Sequence, residues 1–304
     1  MIQNHNHIQI DSHNMEILKE GRHIFDLAAY EGDIHQYHTG FINAHWHREI
    51  EIFILIKGKI QIGIGEYIYE LQEGDGCFIN SDVLHSFLAV VPTPCLYHSF
   101  VFDGGIVGGI PGSIFDIICI RPLLEKGPSF LKFSPQSDTG IFFENFNLAF
   151  EACRKEYPGY EFDVRNYLSH ILLFTKDTGS IITATKTPVL QEKRIKRMLA
   201  WIDAHLGEKI RICDIADSVN ICPRECQRIF SRYLHYRPME YVRNRRILIA
   251  AQKLAESDIP VTDLALEYGF SSPSHFSMYF REIMGVTPTR YRNQTSPSTD
   301  LSEK

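Results

Sequence analysis

The chain has 304 residues, 44% of them apolar and 22% charged, a composition that excludes a disordered, collagen-like or disulfide-scaffold protein. At roughly 100–200 residues per domain, its length predicts two domains. The net charge of −6 divides unevenly: residues 190–292 hold 17 Lys and Arg against 12 Asp and Glu, and the remainder holds 14 against 25. One half is therefore suited to a polyanion and the other is not. Purely apolar runs such as 117–120 and 171–174 are only a few residues long and fall far short of the ~20 residues of a membrane span, so no membrane partner is expected. The first seven residues are polar and lack the apolar core of a secretory signal. Seven cysteines without a Cys-x-x-Cys pair predict reduced, mostly buried thiols in a cytoplasmic protein.

From residue 42 to about 103 the pattern is strand-like. Segments 50–56, 60–64, 67–71, 77–80, 85–91 and 95–102 are rich in Ile, Phe and Tyr. Lys57-Gly58-Lys59, Gly65-Glu66 and Glu73-Gly74-Asp75-Gly76 punctuate them. Short strands at near-even spacing with glycine turns predict an antiparallel sandwich or barrel. The glycine-rich stretch 104–112 reads as a loop. Helical spacing then appears over 141–157 and, after Pro158-Gly159, over 162–176. These two helices either pack on the barrel or pair with a second subunit. The Thr/Ser/Gly-rich stretch 177–188 reads as a linker.

Everything after 189 is helical in pattern and contains an imperfect two-fold repeat. Asp214-Ile215-Ala216 is echoed by Asp263-Leu264-Ala265, and Phe230, Pro238 and Tyr241 by Phe280, Pro288 and Tyr291. Two copies are too few for a solenoid and suit a duplicated helix-turn-helix. The predicted helices are 212–219 and 223–234 in the first copy, and 261–268 and 272–284 in the second. Gly269 stands where the second turn needs a permissive backbone, and Asn220 fills that place in the first.

A helix in the major groove presents a few side chains to base edges while cations hold phosphates. Arg224, Gln227 and Arg228 fall at i, i+3 and i+4 and share one face, which Arg232 continues toward phosphate. On the second helix Ser274, His275 and Met278 take the equivalent face, with Arg281 beyond. That face is suited to shape or a thymine methyl. Ile229, Phe230, Phe276 and Phe280 read as core. The run Arg243, Arg245 and Arg246 on a linking helix reads equally as phosphate contacts or as a solvated face.

The second repeat resembles the AraC/XylS family of bacterial transcription regulators. The resemblance rests on Val261-Thr262-Asp263-Leu264-Ala265-Leu266-Glu267-Tyr268-Gly269-Phe270, on Ser274-His275-Phe276-Ser277 with Phe280-Arg281, and on Gly285-Val286-Thr287-Pro288 with Tyr291-Arg292. It extends over 194–292. The first repeat departs from the pattern: Cys222 stands where a Ser commonly caps the recognition helix, Cys226 fills a usually larger apolar position, and His235 replaces a customary Gly.

The front half resembles both cupin motifs. His45-Trp46-His47 is followed by Glu51 and Gly58, and Gly74 and Gly76 precede His85. The resemblance implies a barrel with these side chains inside. On one strand His45, His47, Glu49 and Glu51 share a face by parity, with Trp46 on the other. His85 would complete a three-His, one-carboxylate set suited to Zn, Fe, Mn or Ni. Three readings stay open for it: a metal-free effector pocket or structural cluster, a bound divalent transition metal, or a catalytic metal. Asn80 and Asp82 stand where enzymatic cupins usually have Pro and Gly. His5, His7 and His13 read as solvated tail residues.

The expected molecule is a two-domain α+β chain. Residues 1–176 form an antiparallel, cupin-like β-barrel with two following helices, for effector binding and dimerisation. Residues 177–188 are a linker, 189–292 an all-α DNA-binding domain with two helix-turn-helix units, and 293–304 a polar tail. The function implied is a sequence-specific transcription regulator, an activator by family habit. It would answer to a small molecule such as a sugar or other carbon source, with double-stranded DNA, RNA polymerase and a second copy of the chain as partners. No cofactor is required for this. The alternative is a metal-dependent cupin enzyme fused to a DNA-binding domain.

Overall fold

The computed structural model describes residues 2–4, 25–37, 40–181 and 189–295. The expectations for His5, His7 and His13, for 182–188 and for 296–304 lie outside these. The chain divides into two compact units at Glu192/Lys193.

Among the described residues, the first unit holds two sheets. One has six strands in the order β1 (Ile2–Asn4), β2 (Leu27–Asp33), β9 (Leu96–Phe102), β4 (Ile50–Leu55), β7 (Gly76–Ile79) and β10 (Phe130–Phe133). The other has four, in the order β3 (Phe41–His45), β8 (His85–Ala89), β5 (Lys59–Ile64) and β6 (Tyr67–Gln72). All pairings are antiparallel except β1 with β2. Alternate side chains of the two sheets, among them Phe53, Leu55, Ile60, Ile62 and Phe87, fill the space between them. The other face of the six-stranded sheet, with Ile50, Ile52, Phe78 and Phe100, carries helices. β4 is thus buried at every position, and its apolar sequence, interrupted only by Glu51, follows from two covered faces.

After β9 come a helical turn, α1 (Gly105–Gly108), a π turn (Asp116–Ile120) and α2 (Arg121–Lys126). Part of the expected 104–112 loop is therefore helical. The long helices α3 (Gly140–Lys155) and α4 (Tyr160–Ile181) pack on the sheet through Phe142, Phe146, Phe150, Val164, Leu168 and Ile171. Each such buried aromatic ring contributes on the order of 2–3 kcal/mol. α4 runs through Ile181, so the stretch expected to open the linker at 177 is helix, continuing the 160–176 turns.

The second unit is helical. It comprises α5 (Val189–Ala204), α6 (Ile212–Asp217), α7 (Pro223–Leu234), α8 (Pro238–Glu256), α9 (Val261–Glu267), α10 (Pro273–Met284) and α11 (Pro288–Thr295). α6–α7 and α9–α10 are the two helix-turn-helix pairs, and the repeat extends to single hydrogen bonds. Ile221 N–H donates to Ala216 O at 3.1 Å, and Phe270 N–H to Ala265 O at 3.0 Å. The turns carry Asn220 at φ +55° and Gly269 at φ +68°. α11 continues to Thr295, past the expected domain edge at 292. All seven cysteines are free thiols; five are buried, Cys213 is partly buried and Cys222 is exposed. Among the described residues, no helix is long and apolar enough to cross a membrane.

Candidate DNA-reading faces and a candidate metal centre

α7 is amphipathic. Cys226, Ile229, Phe230, Tyr233 and Leu234 are buried, while Arg224, Gln227, Arg228 and Arg232 are exposed on the opposite side. Pro223 at the first helical position suits its fixed φ. Cys222 has the extended backbone of an N-cap, but its side chain makes no capping bond. In the second copy Ser272 accepts from His275 N–H at 3.2 Å. The helices end on left-handed residues, His235 at φ +57° in α7 and Gly285 at φ +74° in α10. On α10 Phe276, Phe280 and Met284 are buried, and Ser274, His275, Met278 and Arg281 are exposed. Ser271 Oγ lies 3.1 Å from His275 Nδ1 and orients that ring.

Two features of these helices escaped the sequence reading. Arg228 does not stand alone. Its Nε and Nη2 bond both oxygens of Glu225 at 2.8 and 2.6 Å, and the hydrogen bond holds that carboxyl below its usual range. The acid at i−3 was the signal available. The basic run on α8 is not a plain solvated face: each arginine has a partner within the unit. Arg245 is buried against Asp203, at 2.9 and 3.2 Å. Arg246 donates to Gly269 O at 3.0 Å and to Glu208 O. The Arg243 guanidinium lies 4.5 Å over the Tyr279 ring. These partners are distant in sequence, which is why neighbouring residues did not announce them.

In the barrel His45, His47, Glu51 and His85 are all buried, at 2, 1, 6 and 1% exposure, and converge. Alternation along one strand does not produce this convergence. His45 ends β3 in one sheet, Glu51 lies in β4 of the other, and residues 46–49 connect them. A crossing between sheets, not strand alternation, brings His45 and Glu51 face to face. Glu49 stays partly exposed, and Trp46 is buried. Asp82 adopts φ +59°, the backbone that a glycine would supply. Asn80 is buried and donates to Leu123 O at 2.9 Å and Pro128 O at 3.0 Å, tying β7 to α2 and its exit.

Each histidine has Nδ1 beside a backbone carbonyl: His45 with Asn43 at 2.8 Å, His47 with Glu49 at 3.0 Å, His85 with Val83 at 2.8 Å. A carbonyl only accepts, so each Nδ1 carries the hydrogen, and a neutral ring offers Nε2 as a lone pair. His85 Nε2 lies 3.2 Å from Glu51 Oε2 and makes no hydrogen bond. His47 Nε2 lies 3.5 Å from the same oxygen. Lone pairs facing a carboxylate call for a proton or a cation between them. Burial, with the neighbouring His85 and His47, pushes His45 well below the usual imidazole range. Burial would raise the Glu51 carboxyl, but with a proton on the facing Nε2 of His47 and His85 their hydrogen bonding and charge outweigh burial and lower it. A ring nitrogen from each histidine lies within 4.8 Å of the others. With zinc–nitrogen bonds of about 2.0–2.1 Å, tetrahedral ligands sit roughly 3.4 Å apart, so closure by no more than about 1.4 Å accommodates an ion. The donor set therefore fits a divalent transition metal. The cavity beside His45 and Glu51, lined also by Tyr30, Tyr37, Tyr97 and Ser99, measures about 20 Å³. It has room for an ion or a water, and a sugar would have to part these side chains.

Comparison with known proteins assigns both units. Residues 25–132 match the AraC-like ligand binding domain and 215–294 a helix-turn-helix domain. The chain is 28% identical to the HTH-type transcriptional regulator YdeC of Bacillus subtilis over 286 residues, 93% of this chain and 97% of YdeC. It is 33% identical to the regulatory protein SoxS of Escherichia coli K12 over 103 residues, 34% of this chain and 96% of SoxS. It is 32% identical to the HTH-type transcriptional activator AarP of Providencia stuartii over 111 residues, 36% of this chain and 82% of AarP.

Proposed function

The chain belongs to the AraC family of DNA-binding transcriptional regulators, and on that premise we propose that it activates transcription by laying α7 and α10 in the major groove while its barrel senses a small ligand. The carrying observation is the exposed face of α7, where Arg224, Gln227, Arg228 and Arg232 project from a helix whose other side is core. Arg and Gln on such a face make paired hydrogen bonds to guanine and adenine. His275, held by Ser271, and Met278 read the second segment, and Arg232 and Arg281 approach phosphate. Activation is proposed because AarP is named an activator. A homodimer and a contact to RNA polymerase belong to the same proposal.

For the barrel we propose a divalent transition metal held by His45, His47 and His85 with Glu51. Such an ion would supply the positive charge that the inward lone pairs and carboxylate call for, and it would leave a position facing the small cavity. The role is sensory: the similar proteins are transcription regulators, and the DNA-binding unit uses none of these residues. The test of DNA binding uses the full chain and duplex DNA from its own promoter region. Affinity should fall steeply with salt as phosphate contacts release counterions. Arg224→Ala with Arg228→Ala should remove the preference for that DNA over an unrelated duplex. Equal affinity of the wild type for both duplexes would overturn the proposal.

A further inference from the structure

An acid on a face that meets DNA costs affinity, because it confronts phosphates. Glu225 sits on the recognition helix within such a face, and its counterpart in the second repeat is His275. An exposed i, i+3 ion pair adds little to stability. Its geometry nevertheless is specific. Glu225 takes the side edge of the Arg228 guanidinium, Nε to one oxygen and Nη2 to the other, at 2.8 and 2.6 Å. A guanidinium is planar and rigid, so this fork fixes the plane and leaves a single direction for its outer edge, Nη1 with Nη2. That outer edge carries two parallel donors, spaced to meet guanine O6 and N7.

We propose that Glu225 is a positioning residue for base readout. It holds the Arg228 fork so that the Nη1–Nη2 edge meets guanine in the first major-groove segment. The inference rests on the reading of α7 as a recognition helix with Arg228 as a base reader. Without Glu225 the arginine keeps its charge and its reach but loses its fixed plane. It then satisfies itself on phosphates or on other acceptors of the groove, and discrimination falls while general attraction to DNA rises. The second repeat, with Met278 at the position of Arg228, has no such fork to hold.

The experiment is selection from a library of randomised duplexes with the full chain as wild type, Glu225→Ala, Glu225→Gln, Arg228→Ala and the double variant Glu225→Ala/Arg228→Ala. The wild type should select guanine at one position, and Arg228→Ala should reduce that preference by on the order of tenfold or more. Glu225→Ala should reduce it several-fold at the same position only, with affinity for unrelated duplex rising. Glu225→Gln, which keeps one acceptor, should fall between. Adding Glu225→Ala to Arg228→Ala should change nothing further at that position. Melting temperatures of all variants check that the fold persists. If Arg228→Ala alters no base preference, the base-reading assignment falls and the inference with it. If Arg228→Ala alters one and Glu225→Ala does not, or if Glu225→Ala acts equally without Arg228, the inference alone is overturned.

Discussion

Three imidazoles that each give Nδ1–H to a backbone carbonyl present inward-facing lone pairs, and a carboxylate beside them adds charge of the same kind. At the scale of single residues this arrangement makes two predictions. Cobalt or zinc added to metal-stripped protein should raise its melting temperature, since a ligand at a hundredfold excess over its Kd stabilises by about 2.7 kcal/mol. His85→Ala should remove most of that rise, and a rise that survives in His85→Ala would place the ion elsewhere. The second prediction concerns pH in the metal-stripped chain. Burial and its imidazole neighbours lower His45 in the fold, so as pH falls through ~6.5 the unfolded chain takes up a proton that the folded one refuses. Glu51, also lowered in the fold, works in the same direction nearer the ordinary carboxylate range. Stability to urea should therefore be greatest above about pH 6.5 and decline toward pH 4, and His45→Asn should flatten the upper part of the decline. In the other unit, Gly269 stands at φ +68°, where an added Cβ would meet Arg246 Nη2 at 2.7 Å. That guanidinium is held by the Gly269 and Glu208 carbonyls and has little room to retreat. Gly269→Ala should cost about 1–2 kcal/mol for the backbone alone, and more as Arg246 is displaced, read from the urea midpoint.

At the scale of elements, α7 and α10 are the same device built with different ends. Ser272 closes the start of α10 with its side chain, whereas Cys222 leaves the start of α7 without a capping bond. Cys222→Ser should therefore stabilise the unit and Ser272→Ala destabilise it, each by about 1 kcal/mol in denaturant unfolding. Opposite signs at equivalent positions would be hard to obtain from anything but the caps. The same two helices show what a sequence displays. Their core and exposed faces follow from 3.6-residue periodicity, and the turns from Asn220 and Gly269, because each signal lies within a few residues. The barrel strands between 50 and 102 were legible for the same reason: β5 alternates, and glycine turns bound it. β2 and β10 were not. β2 is buried at four successive positions and pairs with β9 some seventy residues away, so it shows no period of two. β10 has four residues and becomes a strand through β7. The histidine cluster was found from residue types and spacing, but the geometry inferred for it was that of one strand, and it is made by two sheets. Arg245 and Arg246 were unreadable for a related reason: Asp203 and Glu208 reach them only through the packing of the unit.

At the scale of the molecule, the acidic unit that matches a ligand-binding domain and the basic unit that carries both helix-turn-helix pairs have separate cores. Two recognition helices within one basic unit make a stronger claim than one. Each should reach its own major-groove segment, and successive segments on one side of B-form DNA lie about one turn, ~34 Å, apart. The two faces differ in chemistry. α7 exposes arginine and glutamine, and α10 exposes a histidine fixed by Ser271 and the thioether of Met278. Selected sites should therefore show two clusters of preferred bases one turn apart: one discriminating by paired hydrogen bonds, the other more permissive, with an apolar component where a thymine methyl can meet Met278. Arg228→Ala should flatten the first cluster, by about 1–3 kcal/mol at the base it reads, and leave the second intact. His275→Ala should do the reverse with a smaller loss. Removing Arg232 or Arg281, placed to meet phosphate, should weaken all sequences alike and reduce the slope of affinity against salt by about one ion each. Sequencing of selected duplexes for each variant reads all of this at once. If Arg228→Ala and His275→Ala altered the same base pairs, α7 and α10 would share one segment, and a chain with two independent readers would be the wrong description.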